Sequence, residues 1–187
     1  MEALLVSTVS VALAEIGDKT QLLALVLAAR FRKPWPIIFG ILLATLANHG
    51  LAAGFGAWLS AAIAPGVLRW SVAFSFIAMA LWILVPDKPE AESAKYSHGA
   101  FLSTLIAFFL VEIGDKTQVA TVLLAAKYHD IGWVVAGTTL GMLAANFPAV
   151  FAGHHAAQRL PLRLIRRIAA ALFLLMGLLV AVAGNHF

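Results

Sequence analysis

The sequence predicts an all-α polytopic membrane protein, with six transmembrane helices arranged as two inverted three-helix repeats. Three observations lead there. The chain is 62% hydrophobic and 12% charged with a mean hydropathy of +0.93, whereas a soluble domain carries roughly 25% charged residues. Its apolar residues gather into six stretches long enough to span a bilayer, separated by short polar connections. The string Glu-Ile-Gly-Asp-Lys-Thr-Gln occurs at residues 15–21 and returns 97 positions later at residues 112–118, each time inside an apolar stretch. Each copy heads a unit of three spans, so the second unit enters the membrane from the opposite side.

The first span, 3–29, opens with a run that ends in Ala12-Leu13-Ala14 and resembles a signal peptide with a small-residue cleavage site. It carries Glu2 and no basic residue, and the matching segment before the second motif lies deep in the chain. We therefore read it as a retained helix. Span two is 36–59, after Arg30-Phe31-Arg32-Lys33-Pro34, and span three is 67–85, after Pro65-Gly66. The spans at 100–126, 133–153 and 164–183 repeat the order, with connections at 127–132 and 154–163. The polar stretch 86–98 is the one linker. It divides the chain into a first repeat (1–86), a central cytoplasmic linker (87–98) and a second repeat (99–187). The halves match beyond the motif: Ala28-Ala29-Arg30-Phe31 aligns with Ala125-Ala126-Lys127-Tyr128. Leu46-Ala47-Asn48 aligns with Ala144-Ala145-Asn146 if one residue is inserted in the intervening loop.

Charge sets the orientation. With the N-terminus outside, the inner loops carry Arg30, Arg32, Lys33, Lys88, Lys95, Arg159, Arg163, Arg166 and Arg167, and the outer loops only Arg69 and Lys127. Both termini are therefore expected on the non-cytoplasmic side. Trp35, Trp58, Trp70, Trp82 and Trp133 fall mostly near span ends, as interfacial anchors do. The net charge of +4 is accounted for by these loops, which argues against nucleic acid as a partner. There is no cysteine, hence no thiolate metal site.

Charged side chains at membrane depth cost several kcal/mol and mark functional sites. If the motif is helical, Glu15, Asp18 and Gln21 share one face, as do Glu112, Asp115 and Gln118. Gly17 and Gly114 allow close helix approach or a local break that frees backbone carbonyls. Thr20 and Thr117 can bond to the backbone or lend an oxygen to a ligand. Four carboxylates in low dielectric cannot all stay ionised without cations beside them. Lys19 and Lys116, if they point inward, balance half of that charge. One divalent cation balances the rest, and so do two protons, which suits a site that exchanges one for the other. Oxygen donors without cysteine suit hard cations such as Ca²⁺, Mn²⁺ and Mg²⁺. Between Ca²⁺ and Mn²⁺ the donors do not decide.

The doubled Glu-x-Gly-Asp-Lys-Thr motif resembles that of the GDT-one family, also called uncharacterised protein family sixteen, whose members are divalent-cation transporters. The resemblance covers nearly the whole chain and neither motif departs from the pattern. It implies a six-helix cation/proton antiporter of the bacterial manganese-exporter type, with Glu15, Asp18, Glu112 and Asp115 in the cation site. It also implies export, at the bacterial inner membrane, with Mn²⁺ or Ca²⁺ and protons as the transported species. The longer leader and central loop of eukaryotic members are absent, so Golgi roles do not carry over. Moving a dication out of a negative interior is opposed by about 4.6 kcal/mol per 100 mV. Export therefore requires coupling.

Blander readings stand beside these. The four acids could form a structural network pinning the repeats together, and Lys19 and Lys116 could balance charge without touching the ion. Gln21, Gln118, Asn48 and Asn146 are candidate metal ligands, or interhelical hydrogen-bond donors. His49 sits in the membrane beside Asn48 and could relay protons, but on the inserted alignment its counterpart is Phe147. His154 and His155 adjoin the arginine-rich inner loop, a solvated setting. Gly40, Gly50, Gly54, Gly137 and Gly141 are read as helix-packing positions. Two other functions compete: a small-solute or amino-acid exporter, and an intramembrane metal-dependent enzyme. No His-Glu-x-x-His string or nucleophilic serine constellation supports the enzyme. No resident cofactor is expected.

Overall fold

The computed structural model describes residues 1–85, 99–152 and 162–182. The whole linker 87–98, and also His154, His155 and Arg159, lie outside the described residues. Among the described residues the chain is entirely helical: α1 Glu2–Glu15, α2 Lys19–Phe31, α3 Pro34–Ala62, α4 Pro65–Leu84, α5 Ala100–Glu112, α6 Lys116–Tyr128, α7 Ile131–Ala152 and α8 Leu162–Val182.

Four helices, α3, α4, α7 and α8, are long and apolar enough to cross a membrane. The expected spans 3–29 and 100–126 are not single helices. Each breaks at its motif into a pair, α1 with α2 and α5 with α6, of 13 or 14 residues apiece. At 1.5 Å per residue such a helix covers about 20 Å, short of the ~30 Å hydrocarbon core. A broken helix is tolerated at membrane depth where the freed backbone is buried in protein or lines a cavity.

The four helices of the second half follow those of the first at a constant offset of 97. It relates Lys19 to Lys116 and Pro34 to Ile131, at the starts of α2/α6 and α3/α7, and likewise Pro65 to Leu162. It relates the only two non-glycine residues with positive φ among those described, Arg32 (52°) and His129 (53°), which close α2 and α6. Packing follows the same rule. Helix α1 lies on α7 as α5 lies on α3, and α2 meets α7 as α6 meets α3, while α3–α7 and α4–α8 pair between halves.

Close approach at these crossings depends on missing side chains, because lipid offers no hydrophobic drive for helices to associate. A Cβ on Gly137 would stand 2.6 Å from the Leu4 carbonyl and 2.8 Å from Ser7 Cβ, and one on Gly40 2.9 Å from the Phe101 carbonyl and 2.8 Å from Thr104 Cβ. These are the same contact, 97 residues apart. Gly141 likewise lies against Thr8 and Val11. Gly50 and Gly54 face open space, so they are not packing positions, and Gly56 instead packs on Val122. Between α4 and α8, Phe76 meets Phe173 with ring centroids 6.0 Å apart. The five tryptophans are all 40% or more exposed, and they share the surface with many exposed Leu, Val and Phe side chains. A surface of that kind suits lipid rather than water.

Candidate metal site

Each motif folds as a turn rather than a helical face. Helix α1 ends at Glu15, Ile16 is extended (φ −63, ψ 116) and Gly17 has φ +83. The Asp18 N–H donates to the Glu15 carbonyl at 3.0 Å. This is a type II β-turn, whose third position requires positive φ and hence glycine. Ile113 (φ −62, ψ 118), Gly114 (φ +77) and the Asp115 N–H to Glu112 carbonyl bond (3.1 Å) repeat it. The expectation that the acids share one helical face is therefore corrected. Turns bring them together, and the break raised by the glycines is what occurs. Glu15 and Glu112 consequently end α1 and α5, where carbonyl dipoles add negative potential. Asp18 and Asp115 occupy the N-cap positions of α2 and α6, where a carboxylate is stabilised, and Asp115 accepts the Thr117 N–H at 3.4 Å. Gln21 braces the first turn by accepting the Gly17 N–H (3.0 Å), and Gln118 accepts the Gly114 N–H (2.7 Å).

All four acids are buried: Glu15 and Glu112 at 0% exposure, Asp18 at 2% and Asp115 at 4%. One oxygen from each of Glu15, Glu112 and Asp115 lies within 4.8 Å of the others, an arrangement able to hold a metal ion. Each glutamate has one oxygen held and one idle. Glu15 Oε1 accepts from Asn146 Nδ2 at 3.3 Å, and Glu112 Oε2 accepts from Thr117 Oγ1 at 3.3 Å. Glu15 Oε2 and Glu112 Oε1, with Thr20 Oγ1 and Asn146 Oδ1, are buried with no hydrogen-bond partner among the described residues. Unsatisfied buried oxygens are uncommon, and a bound ion is one of their ordinary explanations.

The lysines cross over. Lys19 Nζ lies 3.4 Å from Asp115 Oδ1, and Lys116 Nζ lies 3.9 Å from Asp18 Oδ1 while donating to the Val85 carbonyl at 3.2 Å. Each motif's lysine thus neutralises the other motif's aspartate. The pair of glutamates carries the remaining formal charge. Asp18 is not in the converging trio, and it pairs with Lys116 instead.

The polar residues of α3 and α7 do not sit as the inserted alignment has them. Both helices are continuous, and the Gly40 and Gly137 contacts fix their register at 97. Asn48 therefore corresponds to Ala145, and His49 to Asn146. The hydrogen bonds agree: Gln21 Nε2 donates to the Ala145 carbonyl (2.9 Å) and Gln118 Nε2 to Asn48 Oδ1 (3.5 Å). Asn48 donates to the Phe109 carbonyl at 3.0 Å and reaches no carboxylate among the described residues, so it acts as an interhelical brace. Asn146 meets Glu15, and also Met142 through its carbonyl and its sulfur, both 3.1 Å away. Sequence reasoning misplaced His49 by pairing it with Phe147, which is 44% exposed while His49 is fully buried. Taking the motif offset without a gap would have placed it correctly. Gln21 and Gln118 use both ends of their amides on protein groups. Thr117 bonds to Glu112 and to Asp115 Oδ2 (3.3 Å). Arg166 Nη2 on α8 reaches the Gly17 carbonyl at 3.5 Å, whereas Gly114 is exposed.

A family model described as "Divalent cation/proton antiporter GDT1" matches residues 3–91 and 100–186. The chain is 54% identical over 182 residues to a Vibrio cholerae protein named "Putative manganese exporter", covering 97% of this chain and 91% of that one. A GDT1-like protein of Synechocystis is 27% identical over 92% of this chain and 91% of its own. GDT1-like protein 3 of Oryza sativa subsp. indica is 26% identical over 92% of this chain and 71% of its own. No solved structure matches the chain significantly.

Proposed function

The chain belongs to the GDT1 family of divalent cation/proton antiporters, and on that premise we propose that it exports Mn²⁺ from a bacterial cell in exchange for protons. It is an integral membrane transporter and not an enzyme. The ion site is built by both motifs, with Glu15, Glu112 and Asp115 as direct ligands and Asp18, Lys19 and Lys116 setting the charge. The observation that carries this reading is the buried convergence of those three carboxylates, each glutamate with one oxygen held by the protein and one idle. Manganese is favoured over calcium by the name of the Vibrio relative.

The exchange follows from the charge balance. Two lysine–aspartate pairs leave two glutamates whose charge one dication cancels, or two protons. Buried this deeply, the glutamates are costly to leave bare, so loss of the ion on one side of the membrane favours uptake of protons there. The resulting antiport lets an inward proton gradient oppose the roughly 4.6 kcal/mol per 100 mV against dication export.

The two halves, 1–86 and 99–187, form inverted units, each with one broken and two continuous spans. This is supported by the constant offset and by the way α1 on α7 mirrors α5 on α3. Both termini lie on the non-cytoplasmic side of the inner membrane, a reading supported by the lysine and arginine distribution.

The test uses purified protein in liposomes under an imposed pH gradient. Mn²⁺ should move against the proton flow, and Glu15→Gln or Glu112→Gln should abolish that movement. Undiminished flux in either variant would remove that glutamate from the site.

A further inference from the structure

His49 is fully buried, and neither ring nitrogen has a hydrogen-bond partner among the described residues. A buried imidazole that makes no hydrogen bond is unusual. Its Nε2 lies 3.4 Å from Glu112 Oε2, the oxygen that Thr117 also touches. At the constant offset of 97, His49 corresponds to Asn146, and Glu112 to Glu15. Asn146 holds Glu15 by one oxygen at 3.3 Å and leaves the other idle. The same position in each half therefore faces the motif glutamate of the other half, once with an amide and once with an imidazole.

We propose that His49 is the positioning residue for Glu112, the counterpart of Asn146 for Glu15, and that its Nε2, in polar contact with Oε2, holds that oxygen so that Oε1 is presented to the ion. This rests on the metal-site reading above. Three features support the assignment. The contact is between two groups at 0% exposure, so it is not diluted by water. The neighbouring Asn48, the other polar candidate on this turn of α3, is committed to the Phe109 carbonyl and to Gln118. The alignment partner that would have made His49 a stray, Phe147, points outward at 44% exposure. Residues that orient a metal-binding carboxylate typically change metal affinity by about 10- to 100-fold when removed. The two half-sites are thus equivalent in geometry but not in chemistry, and a substitution at one cannot be assumed to mirror the other.

The chain supplies its own rescue variant. His49→Asn installs the residue that the second half uses, whereas His49→Phe fills the space without a donor. Measured with Mn²⁺ alone in proteoliposomes, His49→Phe should raise KM by about 10-fold or more, and His49→Asn should stay within about threefold of the unaltered protein. Turnover at saturating Mn²⁺ should change by less than about twofold in both, because orientation acts on binding. If His49→Phe does not yield folded protein by thermal melting, His49→Ala takes its place. An unchanged KM without the donor would overturn the proposal, and so would equal impairment by Asn and Phe, which would mean that an amide donor at this position does not do what the ring does. Glu112→Gln separates this from the site itself. Should Glu112→Gln bind Mn²⁺ normally, the site reading fails and the His49 role with it. If Glu112→Gln loses Mn²⁺ while His49→Phe does not, only the His49 role fails.

Discussion

Lys19 and Lys116 stand in the same relation to the opposite aspartate but differ in exposure. Lys116 pairs with Asp18 at side-chain exposures of 4% and 2%, whereas Lys19 is 19% exposed beside Asp115. Removing one partner of a buried ion pair leaves an uncompensated charge, at a cost of about 3–5 kcal/mol. The 3.9 Å separation and the second bond to Val85 place Lys116→Met at the lower end, on the order of 3 kcal/mol. Lys19→Met should cost less, since the partly exposed Lys19 ammonium is itself solvated and its attraction to Asp115 is screened. Thermal unfolding in detergent checks this ranking, and a larger loss for Lys19→Met would show that burial does not set the cost. The sequence presented the two lysines as equivalent. Their difference comes from packing around α2 and α6, which no local pattern encodes.

At the scale of elements, the turn between paired helices is the feature that makes a site from a string. Gly114 has φ +77 with open space around a would-be Cβ, so Gly114→Ala tests backbone strain without a clash. An L-residue in the left-handed region costs about 1–2 kcal/mol. We expect a loss of stability of that order, together with weaker Mn²⁺ binding as Glu112 and Asp115 are displaced; binding measured beside a melting curve distinguishes the two. Unchanged values for both would mean that the turn is soft. The apolar stretches and their ends were legible in the sequence because hydropathy and proline or charge punctuation mark them directly. The break at each motif was legible only as an option, since glycine permits a turn or a close helix contact. The choice depends on the carbonyls and glutamines around it. Gly50 and Gly54 illustrate the same ambiguity: composition suggested packing, and the register turned them away from any neighbour.

At the scale of the whole molecule, the offset of 97 relates motif to motif, helix to helix and contact to contact, so one rule places both half-sites. The motif repeat was visible from the sequence alone, yet one inserted residue shifted α3 against α7 and hid the His49–Asn146 equivalence. A one-residue shift turns a helix by about 100°, which is enough to send His49 from the site to the lipid. What local reasoning could not supply was the pairing of each glutamate with a residue from the other half, Asn146 with Glu15 and His49 with Glu112. That exchange makes the site a property of the assembled halves rather than of either motif. The central claim is therefore that two motifs make one site. Equilibrium binding of Mn²⁺ to the purified protein tests it most directly. One ion should bind per chain, and Glu15→Gln or Glu112→Gln alone should abolish that binding. Two ions per chain, or a single ion retained by either variant, would contradict the account.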